Sequence, residues 1–194
     1  MLTKAESHGH QFFARLIAVL TILVLSNLLA YAVFVNLQRP AAALPVGFHY
    51  TVEVWIMRAG SDEWELLLRT QNVFTRIGKD WVRDALGSAP PSDVAKYISL
   101  SAGNGTAPSD TWVQLPNELT GGLARAAGTF TATGLGTWKI EYTFTSDQTV
   151  TVVNTGLHWA TSGSGNMIAA AELSPTASLA PGDSLKITWS NSVS

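Results

Sequence analysis

Cysteine is absent from the 194 residues of the chain. Its absence removes disulfides, thiolate metal ligation and cysteine nucleophiles together, and leaves stability to packing, for which seven Trp are available. Charge is also scarce: charged residues are 13% of the chain, with 12 Lys and Arg against 14 Asp and Glu, a net charge of −2. From Phe48 onward the balance is 9 basic to 13 acidic side chains. Nucleic acid is therefore not an expected partner, because phosphate binding requires clustered Lys and Arg.

Signatures of chemistry are missing as well. Of the four His, His8 and His10 precede a long apolar run, which leaves His49 and His158. No H-x-x-x-H spacing or EF-hand loop occurs, and no G-x-S-x-G elbow supports a serine nucleophile. "GNGT" and "SGSG" lack the Lys of a phosphate loop and read as turns. No catalytic, cofactor-binding or metal-binding residue is expected, no cofactor is implied, and the chain is not read as an enzyme. His158, between Leu157 and Trp159 on a predicted strand, reads as a surface or satisfied core residue, with a catalytic base as the alternative. Asp93, Asp110, Glu118 and Asp183 fall in or near predicted loops; they are solvated carboxylates unless the fold gathers them around calcium. Lys79, Asp80, Arg83 and Asp84 read as a solvated helix face. Asn104-Gly105-Thr106 is a glycosylation sequon in a loop.

What the sequence does contain begins with "LIAVLTILVLSNLLAYAVFV", Leu16 to Val35, twenty residues without a charge. At about 1.5 Å per residue a helix of this length covers ~30 Å, the thickness of a bilayer's hydrocarbon core. The "AYA" at Ala30 to Ala32 offers a signal-peptidase site, but the apolar run continues past it. Lys4, His8, His10 and Arg15 precede the run and only Arg39 closely follows it, which places the amino terminus inside. Asn27 lies within the run, where its amide is either paired locally or bonded to a neighbouring helix. A pilin-like filament subunit, cut after Gly9, is a further alternative; Arg15 and the lack of a glutamate near the new terminus count against it.

"NLQRPAAALPVG" then reads as a stalk, or as an extended strand that completes a neighbour's sheet from Leu37 to Gly47. "YTVEVWIMRAGSDEWELLLRT" reads as a β-hairpin turning at Gly60 to Glu63, with Val52, Val54 and Ile56 on one face and Glu53, Trp55 and Met57 on the other. "TRIGKDWVRDALG" is the one soluble helix, capped by Thr75 and stopped by Gly87. "VAKYISLS", "TWVQL", "ARAAGTFTAT", "TWKIEYTFT", "QTVTVVNTGLHWA", "NMIAAAEL" and "DSLKITWSNSV" read as successive strands. The fold class is mainly β: an amino-terminal transmembrane helix followed by an antiparallel β-sandwich with one short helix.

The segment "NVFTRIGKDWVRDALG" followed by "KYISLSAGNGTAPSDTWVQLPNEL", the Arg-led strand at Arg125, "NTGLHWA" and the final "GDSLKITW" resemble, in that order, a family of β-domains. These occur in tailed-phage fibre or baseplate proteins and in archaeal viral or surface proteins. The resemblance covers about Asn72 to Trp189 and implies a structural or attachment role with no catalytic residues to transfer. The membrane span departs from the phage pattern and turns the expectation toward a membrane-anchored surface or virion protein.

The expected organisation is an interior tail at 1–15, a transmembrane helix at 16–37, a stalk at 38–47 and an external β-sandwich at 48–194. Membrane lipid and copies of the chain or other structural proteins are the expected partners; a carbohydrate-binding or host-adhesion module, with a glycan as ligand, is the alternative function. The intact mass of the protein from its natural source is expected to be that of the full-length chain. A chain beginning near Val33 would make it a secreted domain, and loss of Met1 to Gly9 would make it pilin-like.

Overall fold

Side chains alternate between buried and wet along the strands of a computed structural model that describes residues 47–88, 94–103 and 107–193. In β1 (Phe48–Met57), Val52, Val54 and Ile56 are buried, while Glu53, Trp55 and Met57 remain half-exposed. This is the period of a strand with one face on a core. It pairs antiparallel with β2 (Glu65–Gln71) to give the expected hairpin. There follow β3 (Val73–Phe74), α1 (Arg76–Gly87), β4 (Tyr97–Ser101), β5 (Ala126–Ala127) and β6 (Thr129–Gly134). The chain continues through β7 (Thr137–Thr145), β8 (Val150–His158), β9 (Met167–Leu179) and β10 (Ser184–Val193).

The ten strands form two antiparallel five-stranded sheets, ordered β2-β1-β10-β7-β6 and β3-β9-β8-β4-β5. Their apolar faces meet in one core, to which the first sheet brings Val54, Ile187, Trp189 and Phe144 and the second Ile98, Val152, Leu157 and Leu173. The central strand β10 buries Leu185, Ile187 and Trp189 completely between β1 and β7.

Helix α1 is fastened to β9 at its first turn. The Thr75 hydroxyl accepts from the Gly78 N–H at 3.0 Å, as an N-cap does, and donates to the carbonyls of Met167 and Ile168. Gly78 makes the approach possible: a Cβ at this position would lie 2.3 Å from the Ile168 carbonyl oxygen. The helix runs through Gly87, and Ser88 closes it with its N–H donating to the Asp84 carbonyl at 3.0 Å.

The structure corrects three strand expectations. "TWVQL" is not a strand: the Trp112 N–H donates to the Ser109 carbonyl at 3.1 Å, the Ser109 hydroxyl accepts from Thr111, and Pro116 has no N–H to offer a ladder. "ARAAGTFTAT" divides at Gly128, where a Cβ would lie 2.7 Å from Ile140 Cγ2, and its halves join different sheets. The chain turns the corner of the sandwich there. "NMIAAAEL" continues to Leu179 because Val150 to Val152 pair with Ala177 to Leu179.

The apolar run, the stalk up to Val46, Asp93 and Asn104 lie outside the described residues. Among the described residues no helix is long and apolar enough to cross a membrane. Substituting Gly78→Ala is expected to cost about 1–3 kcal/mol, since backbone rather than a flexible side chain opposes the new methyl group. Urea unfolding with an unchanged m-value checks it.

Candidate functional site

The densest polar constellation in the domain stands where β8 ends and a loop leads to β9. Its centre is Arg125, whose side chain is only 4% exposed. All five of its N–H groups are used. Nε and Nη2 donate to the two carboxylate oxygens of Glu118, each at 2.7 Å, in a bidentate pair. Nη1 donates to the Ala160 carbonyl at 3.1 Å and to Asn166 Oδ1 at 2.9 Å, while Nη2 also reaches the Gly163 carbonyl at 3.3 Å. The loop is wound around this cation: Gly163 and Gly165 have positive φ, and Asn166 Nδ2 donates to the Ser162 and Gly163 carbonyls.

Asn166 fixes the chemistry of His158. Because Nδ2 faces carbonyls, Oδ1 is the acceptor, so His158 Nδ1 carries a proton and donates to it at 2.9 Å. The other ring nitrogen, Nε2, then accepts from the Ser99 hydroxyl at 2.8 Å. This is a hydroxyl, an imidazole and an orienting amide in sequence, the arrangement that activates a nucleophile. It has no approach for a substrate. Ser99 and His158 are fully buried, and a Cβ on Gly156 would lie 2.9 Å from Nε2 and 3.0 Å from Ser99 Oγ. Burial and then the Arg125 charge hold the imidazole down to about pKa 3, against the pull of the Asn166 hydrogen bond, so it stays neutral. Of the readings of His158 as surface residue, satisfied core residue or catalytic base, the geometry matches the satisfied core residue.

No protein-family model and no curated protein matches the chain.

The three described carboxylates considered for calcium, Asp110, Glu118 and Asp183, are not gathered. Asp110 pairs with Arg76 at 3.1 Å, Glu118 serves Arg125, and Asp183 stands at the β9–β10 turn, paired with Arg58 at 2.8 Å. Hydrogen bonds from the Ala180 and Ala59 N–H groups, assisted by Arg58, hold the Asp183 carboxyl below its usual range. Among the described residues no group of three or more His, Cys, Asp or Glu is placed to hold a metal ion. On α1, Arg83 bonds both Asp80 and Asp84, at 2.7 and 2.8 Å, all three exposed. These carboxylates border a groove of about 460 Å³ that also takes in Trp81, Trp159 and Gly165, with the two indole rings stacked 6.2 Å apart.

Sequence reasoning did not foresee the Arg125 hub or Asn166. One signal was present: an isolated Arg in "GGLARAAG", a stretch otherwise of small and apolar residues.

The buried neutral His158 makes stability depend on acid. Between pH 6.5 and 3 the unfolded chain takes up a proton that the folded chain refuses, so stability is complete above pH 6.5 and falls as pH drops through this window. The protein is expected to lose about 2–3 kcal/mol between pH 7 and 4.5 from this group. In His158→Gln that loss should largely vanish, as measured by urea unfolding at the two pH values.

Proposed function

We propose that the chain is a membrane-anchored structural protein of a virion or cell-surface appendage, assembling through an edge of its β-sandwich. The anchor is Leu16 to Val35, with the amino terminus inside and the β-domain outside. The observation that carries the assembly reading is the contrast among the sheet edges. β3 and β5 are two residues long each, too short to template another strand. β2 carries the exposed charges of Glu65 and Arg69. β6 has neither charge nor brevity: Thr129 to Gly134 are all exposed, Phe130 is 61% exposed, and Leu135 follows in the open. Up to a bulge at Ala132/Gly134, Thr129 to Ala132 pair with β7 in unbroken register at the edge of the sheet, where their outer side can accept a strand. The buried Ser99–His158 pair, closed to substrate, supports a structural role over a catalytic one.

A carbohydrate-binding or adhesion module is the second reading, favoured by the groove at Trp81 and Trp159. Stacked indoles beside the Asp80 and Asp84 carboxylates combine an apolar platform with hydrogen-bond acceptors, which match the apolar face and the hydroxyl donors of a sugar ring. Glycan binding by a monomeric chain would promote this reading.

Thr131→Glu tests the edge. Lys139 is its register partner on β7, so the new carboxylate finds an opposite charge within its own sheet and the fold is kept. Sedimentation of the full-length chain is expected to show self-association that the substitution weakens by roughly tenfold or more. Association unchanged by the substitution would remove β6 as the contact, and a wild-type chain with neither self-association nor a structural partner would remove the reading itself.

A further inference from the structure

Between the two sheets, beside β6, the core opens into a cavity of about 350 Å³ with a lining that is almost wholly apolar. Phe130 on β6 and Val94, just before β4, both line it and are 61% and 59% exposed, so the mouth lies between them. One end of the mouth is closed by the Gly128 N–H, which donates to the Lys96 carbonyl at 2.7 Å. The cavity therefore opens at the edge where Thr129 to Ala132 have β7 on one side and no strand on the other. A strand added there continues the sheet and hangs every second side chain over the mouth.

One stretch of the sequence fits that position. Pro40 to Gly47, "PAAALPVG", holds no charged residue, and neither does Thr129 to Gly136 on the receiving side. In an extended strand, alternate residues share a face of the sheet and turn their backbone N–H groups to the same neighbour. Ala42, Leu44 and Val46 form one such set, and Ala43 and Pro45 belong to the other. With the first set toward β6, each of its residues has an N–H to donate, and the N–H that Pro45 lacks falls on the outer side. Leu44 and Val46 then share a face, and that face is the cavity's, because burial there removes their apolar surface from water together with that of Phe130 and Val94. Leu44 precedes a proline, which biases it to extended backbone in advance. Pro45 on the new outer edge blocks a further strand, so the addition stops at one.

The donor has to be another molecule. Leu44 and Val46 precede Phe48 by four and two residues, a reach of at most about 14 Å and 7 Å. The place beyond β6 lies four strand positions from β1, roughly 19 Å away. We propose that Ala42 to Val46 of a second copy adds as a strand beside β6 and inserts Leu44 and Val46 into the cavity. This inference rests on β6 being the assembling edge and names the strand that the edge receives.

The absence of cysteine allows disulfide trapping in the full-length chain. Chains carrying Ala43→Cys or Ala41→Cys are mixed in detergent micelles with differently tagged chains carrying Thr131→Cys, and oxidised. These positions share the outer face of the extended sheet, and a disulfide forms only where Cα atoms come within about 7 Å. A mixed disulfide with Thr131→Cys is expected, and none with Gln71→Cys at the opposite edge on β2. Leu44→Asp is expected to lower the yield of mixed disulfide at least about tenfold. No mixed disulfide, equal trapping by Gln71→Cys, or a yield unmoved by Leu44→Asp would overturn the proposal. If Leu44→Asp fails to fold, the choice of Thr131→Cys over Gln71→Cys decides alone. A disulfide between two Thr131→Cys chains in place of the mixed one also overturns it, yet leaves β6 as the assembling edge. A wild-type chain that does not self-associate removes both readings.

Discussion

The Arg125 guanidinium is the interaction on which the rest of the domain depends. A cation removed from water is costly unless every donor is met, and here Glu118, Asn166 and two loop carbonyls meet all five. Because these partners come from separate parts of the chain, the charge joins the segment before β5, the loop after β8 and, through Asn166, the His158 ring on β8. Ser99 on β4 completes the chain of contacts. Removing one partner from such a buried pair typically costs ~3–5 kcal/mol, a large part of a domain's net stability of ~5–15 kcal/mol. In a protein without disulfides this cation serves as the cross-link between loops.

A scaffold fastened in this way can leave other parts unprotected. The glycine-rich loop after β8 needs no sheet contacts of its own, since Arg125 and Asn166 satisfy its carbonyls. Thr75 and Gly78 hold α1 on the backbone of β9, so the helix presents Trp81 to the groove beside Trp159. The position of that groove thus hangs on one short helix. The undefended β6 edge lies on the other sheet, paired only with β7.

Strands were legible in the sequence where one face is buried and the other wet. "TWKIEYTFT" coincides with β7 from end to end, and Thr75 is the N-cap that its position before the helical period implies. "TWVQL" misled because Leu115 is buried from a loop without belonging to a ladder, with Trp112 packed beside it, while Val113 stays exposed. Local pattern reports burial, and only the hydrogen-bond partners decide between strand and turn. The polar network was illegible for a related reason. Arg125 meets partners at positions 118, 160, 163 and 166, and no spacing rule connects residues that a loop brings back across the fold. Asn191 continues the period of Leu185, Ile187 and Trp189, which correctly places it inward, but nothing in the pattern says that its oxygen is left alone.

Phe48 and Val193, the first residue of β1 and the last of β10, are register partners. The folded unit therefore begins and ends within one strand spacing, about 5 Å. Such a unit is a cassette: spliced into a surface loop of another protein, it would ask that loop to span hardly more than a single residue, and joining its own ends would permit circular permutation with little rearrangement.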